Sequence, residues 1–145
     1  MSANDIIEPR HTVGADGPYW QALAEGRLEL PRCEGCNRWH WPAVFRCGEC
    51  GSWDHRWHTV ATEGTIFSWT RTWHPFDGSE GIGVPFISLI VELPQAGGRR
   101  LLGLLEGDDR NLRIGAPVRG RIDATEIWGD RIPSLRWTIL DGSAA

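Results

Sequence analysis

The 145-residue chain has no lysine, one methionine and one tyrosine, and its 19 acidic residues outnumber 15 arginines to leave a formal net charge of −4. Without a basic excess there is no strong field to draw in nucleic acid or anionic lipid, so neither is an expected partner. No stretch approaches the roughly 18 consecutive apolar residues that a membrane-spanning helix needs. The opening residues MSANDIIEPRH have neither the basic start nor the apolar core of a secretory signal, which makes the cytoplasm the expected address. G-x-S-x-G, H-E-x-x-H, Walker and dinucleotide patterns are all missing, and with them the usual marks of a catalyst that works alone. The glycine-rich run 78–83 lacks a following Lys-Ser/Thr and precedes a strand, so it reads as a loop and not a phosphate cradle.

Hydrophobic residues make up 41% and charged residues 23% of the chain, close to globular usage, and a packed core is expected. The length suits one domain, or a small metal module joined to a somewhat larger one. Nine tryptophans are more than a core of this size readily encloses, so several are expected at an interface.

Along the chain, residues 1–15 read as a flexible arm. Residues 16–30 form a short helix with Pro18 in its first turn, Tyr19, Trp20 and Leu23 on its apolar stripe and Gly26 at its end, followed by a lead-in strand through Leu28 and Leu30. Residues 31–60 form a cysteine module. From Gly64 onward the pattern turns to period-two and apolar runs at 65–70, 86–93, 100–105 and 118–123, with a weaker one at 135–140. Five strands without crossover helices predict a mainly β chain with a five-stranded antiparallel barrel of the OB type over 61–140, then a tail at 141–145. An SH3-like barrel or small sandwich satisfies the same pattern.

The strongest signal is Cys33-x2-Cys36-x10-Cys47-x2-Cys50. Two such claws present four thiolates to one tetrahedral ion at about 2.3 Å per sulfur, and turn N–H groups can spread their charge. A closed sulfur shell leaves no position for water, so the ion, Zn²⁺, is expected to be structural, and zinc with its four thiolates carries about −2. Iron in the same sulfur set, redox-active pairs and plain core cysteines are the competing readings. His55 and His58 follow closely and could replace a cysteine, but the shell is already complete, so they are expected at the surface or facing a partner. Trp39 and Trp41, flanking His40 on an extended segment, are expected to face opposite ways, one to the barrel and one to a partner, with packing of both in the core or ribbon as the equal alternative.

Several stretches together carry a resemblance: Tyr19-Trp20 with Gly26-Arg27-Leu28-Glu29-Leu30, Arg32-Cys33-x-x-Cys36, Trp41-Pro42, Cys47-x-x-Cys50-Gly51-Ser52 and Gly64-Thr65-Ile66-Phe67-Ser68-Trp69-Thr70. Later landmarks are Val84-Pro85-Phe86, Leu112-Arg113-Ile114-Gly115 and Ile132-Pro133-Ser134-Leu135-Arg136. Over about residues 18–140 the chain resembles the acyl-CoA-associated DUF35 proteins, in which a rubredoxin-like zinc ribbon precedes an OB-fold. It departs from their pattern with Asn37 after the second cysteine, where Gly is usual, and Gly48 after the third, where Pro is frequent. Asn tolerates a left-handed backbone, so the turn is expected to survive.

The resemblance implies a non-catalytic subunit that completes a thiolase-like enzyme, whether thiolase, acyltransferase or retro-aldolase, and helps hold acyl-CoA. Arg99, Arg100, Arg110 and Arg113, together with Arg119, are the candidates for CoA phosphates, and solvated faces are the plain alternative for each. Two other functions stay open: a nucleic-acid binder stacking bases on Phe67 and Trp69, and a hydratase subunit contributing His74 or Asp77 to the reaction.

Overall fold

The computed structural model describes residues 14–140, so most of the expected arm and the 141–145 tail lie outside the described residues. Helix α1 (Gly17–Ala24) starts with Pro18 in its first turn, and its chain reverses at Gly26, where φ is +83°. Tyr19, Ala22 and Leu23 are its buried residues. It packs on strand β1 (Glu29–Cys33) and on the last strand of the barrel.

β1 pairs antiparallel with β2 (His55–Thr59), from Glu29 opposite Thr59 to Cys33 opposite His55. The barrel follows as β3 (Glu63–Thr72), β4 (Phe86–Leu93), β5 (Arg99–Leu105), β6 (Pro117–Ile127) and β7 (Asp130–Ile139), closed in the order β3-β4-β5-β7-β6. The five expected runs are the five strands, with the final hairpin longer than its pattern suggested. The expected turn at Pro94–Gly98 begins as one turn of 3-10 helix, Pro94–Ala96, and is released through Gly97 and Gly98 at positive φ.

The barrel is not wholly antiparallel, because β5 and β7 run parallel at Leu104–Arg136 and Leu105–Trp137. The reason is one of parity. Strand direction cannot alternate all the way round a ring of five, so one pair must run the same way, and here it is the closing pair.

Inward residues of all five strands form one core with α1 and β1, including Leu23, Leu30, Ile66, Leu89, Val91, Leu101, Val118, Leu135 and Trp137. The Trp137 indole is fully buried. Gly103 and Gly120 make room for it, since a Cβ at Gly103 would lie 2.5 Å from Nε1 and one at Gly120 would lie 2.8 Å from the six-membered ring.

Ribbon, helix and barrel meet at one seam. Arg99 Nε donates to the Trp39 carbonyl at 2.8 Å, and Gln95 Nε2 donates to the carbonyls of Ala61 and Glu63 at 2.7 and 2.9 Å. Trp39 covers Gly97, whose φ of +63° and contact with the indole leave no place for a side chain. Trp41 lies against Tyr19 with ring centroids 4.3 Å apart. The two tryptophans do diverge, one to the barrel and one to α1, and both are half-buried, packed against the protein's own core.

Candidate metal centre

Two turns of the same construction carry the four cysteines. In the first, Cys33 N–H donates to the Arg38 carbonyl and Asn37 N–H to the Cys33 carbonyl, at 2.8 and 2.9 Å. In the second, Cys47 N–H donates to the Ser52 carbonyl and Gly51 N–H to the Cys47 carbonyl, at the same 2.8 and 2.9 Å. Asn37 and Gly51 hold equivalent places and both are left-handed, with φ of +63° and +80°. The Asn that departs from the usual glycine thus sits where a short polar side chain tolerates that backbone. Gly35 allows the turns to meet, since a Cβ there would lie 3.0 Å from Cys50 Sγ.

The four sulfurs all lie within 4.8 Å of one another, with Cys33 to Cys50 at 3.5 Å and Cys36 to Cys47 at 3.7 Å. A tetrahedron with metal–sulfur bonds of about 2.3 Å has edges of about 3.8 Å, so the separations fit such an ion. Cys33 and Cys47 are buried while Cys36 and Cys50 face outward.

Charge agrees with geometry. N–H groups of Cys50 and Glu49 and the His40 side chain draw the Cys47 thiol down to about 5. The Ser52 N–H pulls Cys50 the same way, but the neighbouring sulfurs and loss of solvent outweigh it and push Cys50 up to about 12. At Cys36 the Arg38 N–H is likewise outweighed, and the thiol sits above its ordinary value. Four thiolates at this spacing repel one another, and a divalent cation is what reverses the balance. Zinc fits the donor set, held by Cys33, Cys36, Cys47 and Cys50, where it would cross-link the two turns.

Behind the cage, His40 and His55 stack edge to face with centroids 5.4 Å apart, and the Nε2 of each is buried without a hydrogen-bond partner. His55 is half-buried, with its Nε2 enclosed and the rest of the residue partly exposed. His58 is half-buried against Trp39, at 5.5 Å between centroids.

The structure does not gather the four arginines expected at CoA phosphates. Arg99 is held at the seam by Trp39. Arg100 pairs with Glu92 and lies 3.5 Å above the Phe67 ring, at the start of β5. Arg110 pairs with Asp108, and Arg113 donates to the Asn111 carbonyl, both beyond the other end of that strand. Arg119, on β6, pairs with Glu63. His74 stacks on Phe76 at 4.6 Å in the 73–85 loop. Of the tryptophans, Trp53, Trp73 and Trp128 are the exposed ones.

Sequence reasoning missed a polar network on β6 and β7. Thr125, buried in the barrel wall, shares a 2.7 Å hydrogen bond with Ser134 and accepts another from Arg136 at 2.7 Å. Burial lowers the Arg136 guanidinium against the opposite pull of Asp123 and Glu106, both of which bind Arg121. Six residues scattered through and beside period-two strands give no spacing that would have announced them.

A four-thiol ribbon packed on a closed five-stranded barrel defines a zinc-ribbon/OB protein. Its ribbon, residues 20–55, matches the family model described as the ChsH2 rubredoxin-like zinc ribbon domain, and residues 57–123 match that of the ChsH2 C-terminal OB-fold domain. The chain belongs to this DUF35/ChsH2 family.

A curated relative from Thermomonospora curvata, named "Probable enoyl-CoA hydratase alpha subunit", is 32% identical over 116 residues. The match takes in 77% of this chain and spans about a third, 34%, of the relative. A solved structure titled "Ltp2-ChsH2(DUF35) aldolase" superposes with a TM-score of 0.74 at 24% identity, covering 86% of this chain and 94% of the other. A DUF35 protein of unknown function from Sulfolobus solfataricus superposes at 0.59 and 21% identity, covering 92% and 90%. At those identities the two structures speak for the fold.

Proposed function

We propose that this chain is a non-catalytic accessory subunit of a thiolase-like enzyme, a thiolase, acyltransferase or retro-aldolase, acting on acyl-CoA in the cytoplasm. Its four-cysteine cage holds one structural zinc, residues 31–60 work as the ribbon and 61–140 as the barrel, and the partner supplies the groups that make or break the carbon–carbon bond. The observation that carries this reading is membership of a family whose relatives are titled as an aldolase and a hydratase subunit, joined to a metal site closed to substrate. Arg110 and Arg113, exposed together beyond the end of β5, are the arginines left for contact with CoA phosphates; Arg100 lies at the other end of that strand and Arg99 is engaged at the seam.

The curated relative's name favours a second reading, in which the chain joins an enoyl-CoA hydratase and contributes His74 or Asp77 to the reaction. Nucleic acid is the poorest fit, because the chain carries a formal net charge of −4 with no basic excess.

Co-expression with a thiolase-like protein encoded beside it tests the proposal. A stoichiometric complex with one zinc per copy of this chain, and turnover unaffected by His74→Ala or Asp77→Ala, is the expected result. A chain that remains alone in the presence of that protein refutes it, and loss of turnover in intact His74→Ala complex establishes the hydratase-type reading instead.

A further inference from the structure

Two loops meet at one end of the barrel. The 73–85 loop, between β3 and β4, is folded on itself: Ser79 N–H and Oγ donate to the Phe76 carbonyl at 3.0 and 2.6 Å, Ile82 N–H donates to the Ser79 carbonyl at 3.0 Å, and Gly78 N–H donates to Glu80 Oε1 at 3.2 Å. It rests on the β6–β7 hairpin. Trp128 N–H donates to the Gly78 carbonyl at 3.3 Å, and the Trp128 indole lies so close over Gly78 that a Cβ there would overlap it. A Cβ at Gly81 would lie 3.0 Å from both the Cβ and the carbonyl oxygen of Glu126.

Tryptophan is an unusual residue for position 128. Trp128 and Gly129 join Ile127 to its strand partner Asp130, with φ of +48° and +82°. Two positive φ values in a two-residue hairpin loop are those of a type I′ turn, for which Asn-Gly or Gly-Gly is favoured. The turn accounts for the dihedral and not for the side chain, because a bulky residue is strained there. Burial does not account for it either, since Trp128 is 79% exposed. What the indole gains is its contact with Gly78.

Behind the segment it covers lies a cleft of about 370 Å³, with Gly81, Ile82 and Pro85 in one wall and Arg71 and Arg136 among its other residues. Arg71 is paired with Asp109. Arg136 instead gives a hydrogen bond to the neutral Thr125 hydroxyl, which uses one of the five N–H donors of a guanidinium. We propose that Trp128 is a latch: its indole clamps the 76–83 segment onto the hairpin and so restricts access to the Arg136 cleft. Gly78 and Gly83, both at positive φ, are the points about which the segment swings when the latch releases. The device lies within this chain and goes beyond the acyl-CoA reading, on which it does not depend.

The test uses the zinc-loaded full chain carrying Trp128→Asn, which supplies the residue that a type I′ turn favours and removes the indole. Amide hydrogen exchange reads the latch. Phenylglyoxal labelling of individual arginines, located by mass spectrometry, reads the cleft, with the Arg110 side chain, 86% exposed, as internal reference. Exchange over 76–83 should rise about tenfold or more while the β6–β7 ladder amides exchange as in wild type, and Arg136 labelling relative to Arg110 should rise severalfold. Gly78→Ala, which displaces the indole from the loop side, should produce the same two changes. The proposal is overturned if loop exchange is unchanged in both variants, or if Arg136 labelling keeps its wild-type rate although the loop has opened. It is equally overturned if the β6–β7 ladder loses protection together with the loop, because the indole would then be holding the hairpin and not the loop.

Discussion

A single methyl group at Gly103 measures how tightly the barrel is closed around Trp137. Its Cβ would meet the indole at 2.5 Å from Nε1 and 2.6 Å from Cδ1, and the Leu135 carbonyl oxygen at 2.8 Å. All three are far inside van der Waals contact, and two belong to a fully buried ring that cannot swing away. Overpacking of this kind costs about 1–3 kcal/mol, and about 0.5–1 kcal/mol returns because alanine loses less backbone freedom in a strand than glycine. The net expectation for Gly103→Ala is a loss of about 1–2 kcal/mol, or about 3–8 °C in Tm for a chain of this size.

Trp137→Ala removes the ring that meets that methyl, together with an indole N–H that is buried without a partner. It should cost about 3–5 kcal/mol. In the alanine background Gly103→Ala should lose roughly half its effect, because only the Leu135 carbonyl still blocks the new methyl. Urea unfolding of the four proteins gives the coupling, expected at about 1 kcal/mol. Strict additivity would show that the indole does not set the spacing between β5 and β7, and the account of the barrel's closure would be wrong.

Two further predictions concern the ribbon. Arg99→Met removes a charged donor from the Trp39 carbonyl and should destabilise the whole chain by about 1–2 kcal/mol, while leaving CoA affinity of the complex unchanged; the opposite pattern in calorimetry would return Arg99 to the substrate. Cys36 and Cys50 lie above the ordinary thiol value and are protonated at pH 7, whereas Cys47, near 5, is already a thiolate. Zinc uptake at pH 7 should accordingly release at least two protons per ion, and affinity should fall as pH falls; a weakly buffered titration without acidification would contradict the assignment of those sulfurs.

What could be read in advance was whatever chemistry forces into local spacing. The two Cys-x-x-Cys turns must present sulfur from adjacent residues, so they are visible in the chain, down to the left-handed place that Asn37 shares with Gly51. Strand runs at 86–93 and 100–105 were equally plain, because an inward-facing β residue every second position leaves a periodic mark. That one pair must run parallel was in principle legible too, since five is an odd number, although not that it would be β5 and β7. Long-range partnerships left no such mark. Arg99 looked like any exposed cation until the fold set Trp39 beside it, and Arg136, Thr125 and Ser134 met only through the register of a long hairpin. His55 appeared solvent-bound because its packing partner, His40, comes from the opposite side of the ribbon.

Everything proposed for docking and substrate depends on an ordered ribbon, and metal content with X-ray absorption at the zinc edge probes that most directly. Chain purified without added metal should carry one zinc with four sulfur neighbours at about 2.3 Å, and stripping that ion should unfold the segment from Cys33 to Cys50 and loosen the Trp39 seam. Protein that keeps its native tryptophan spectrum and thermal transition with four reduced, metal-free thiols would contradict the account.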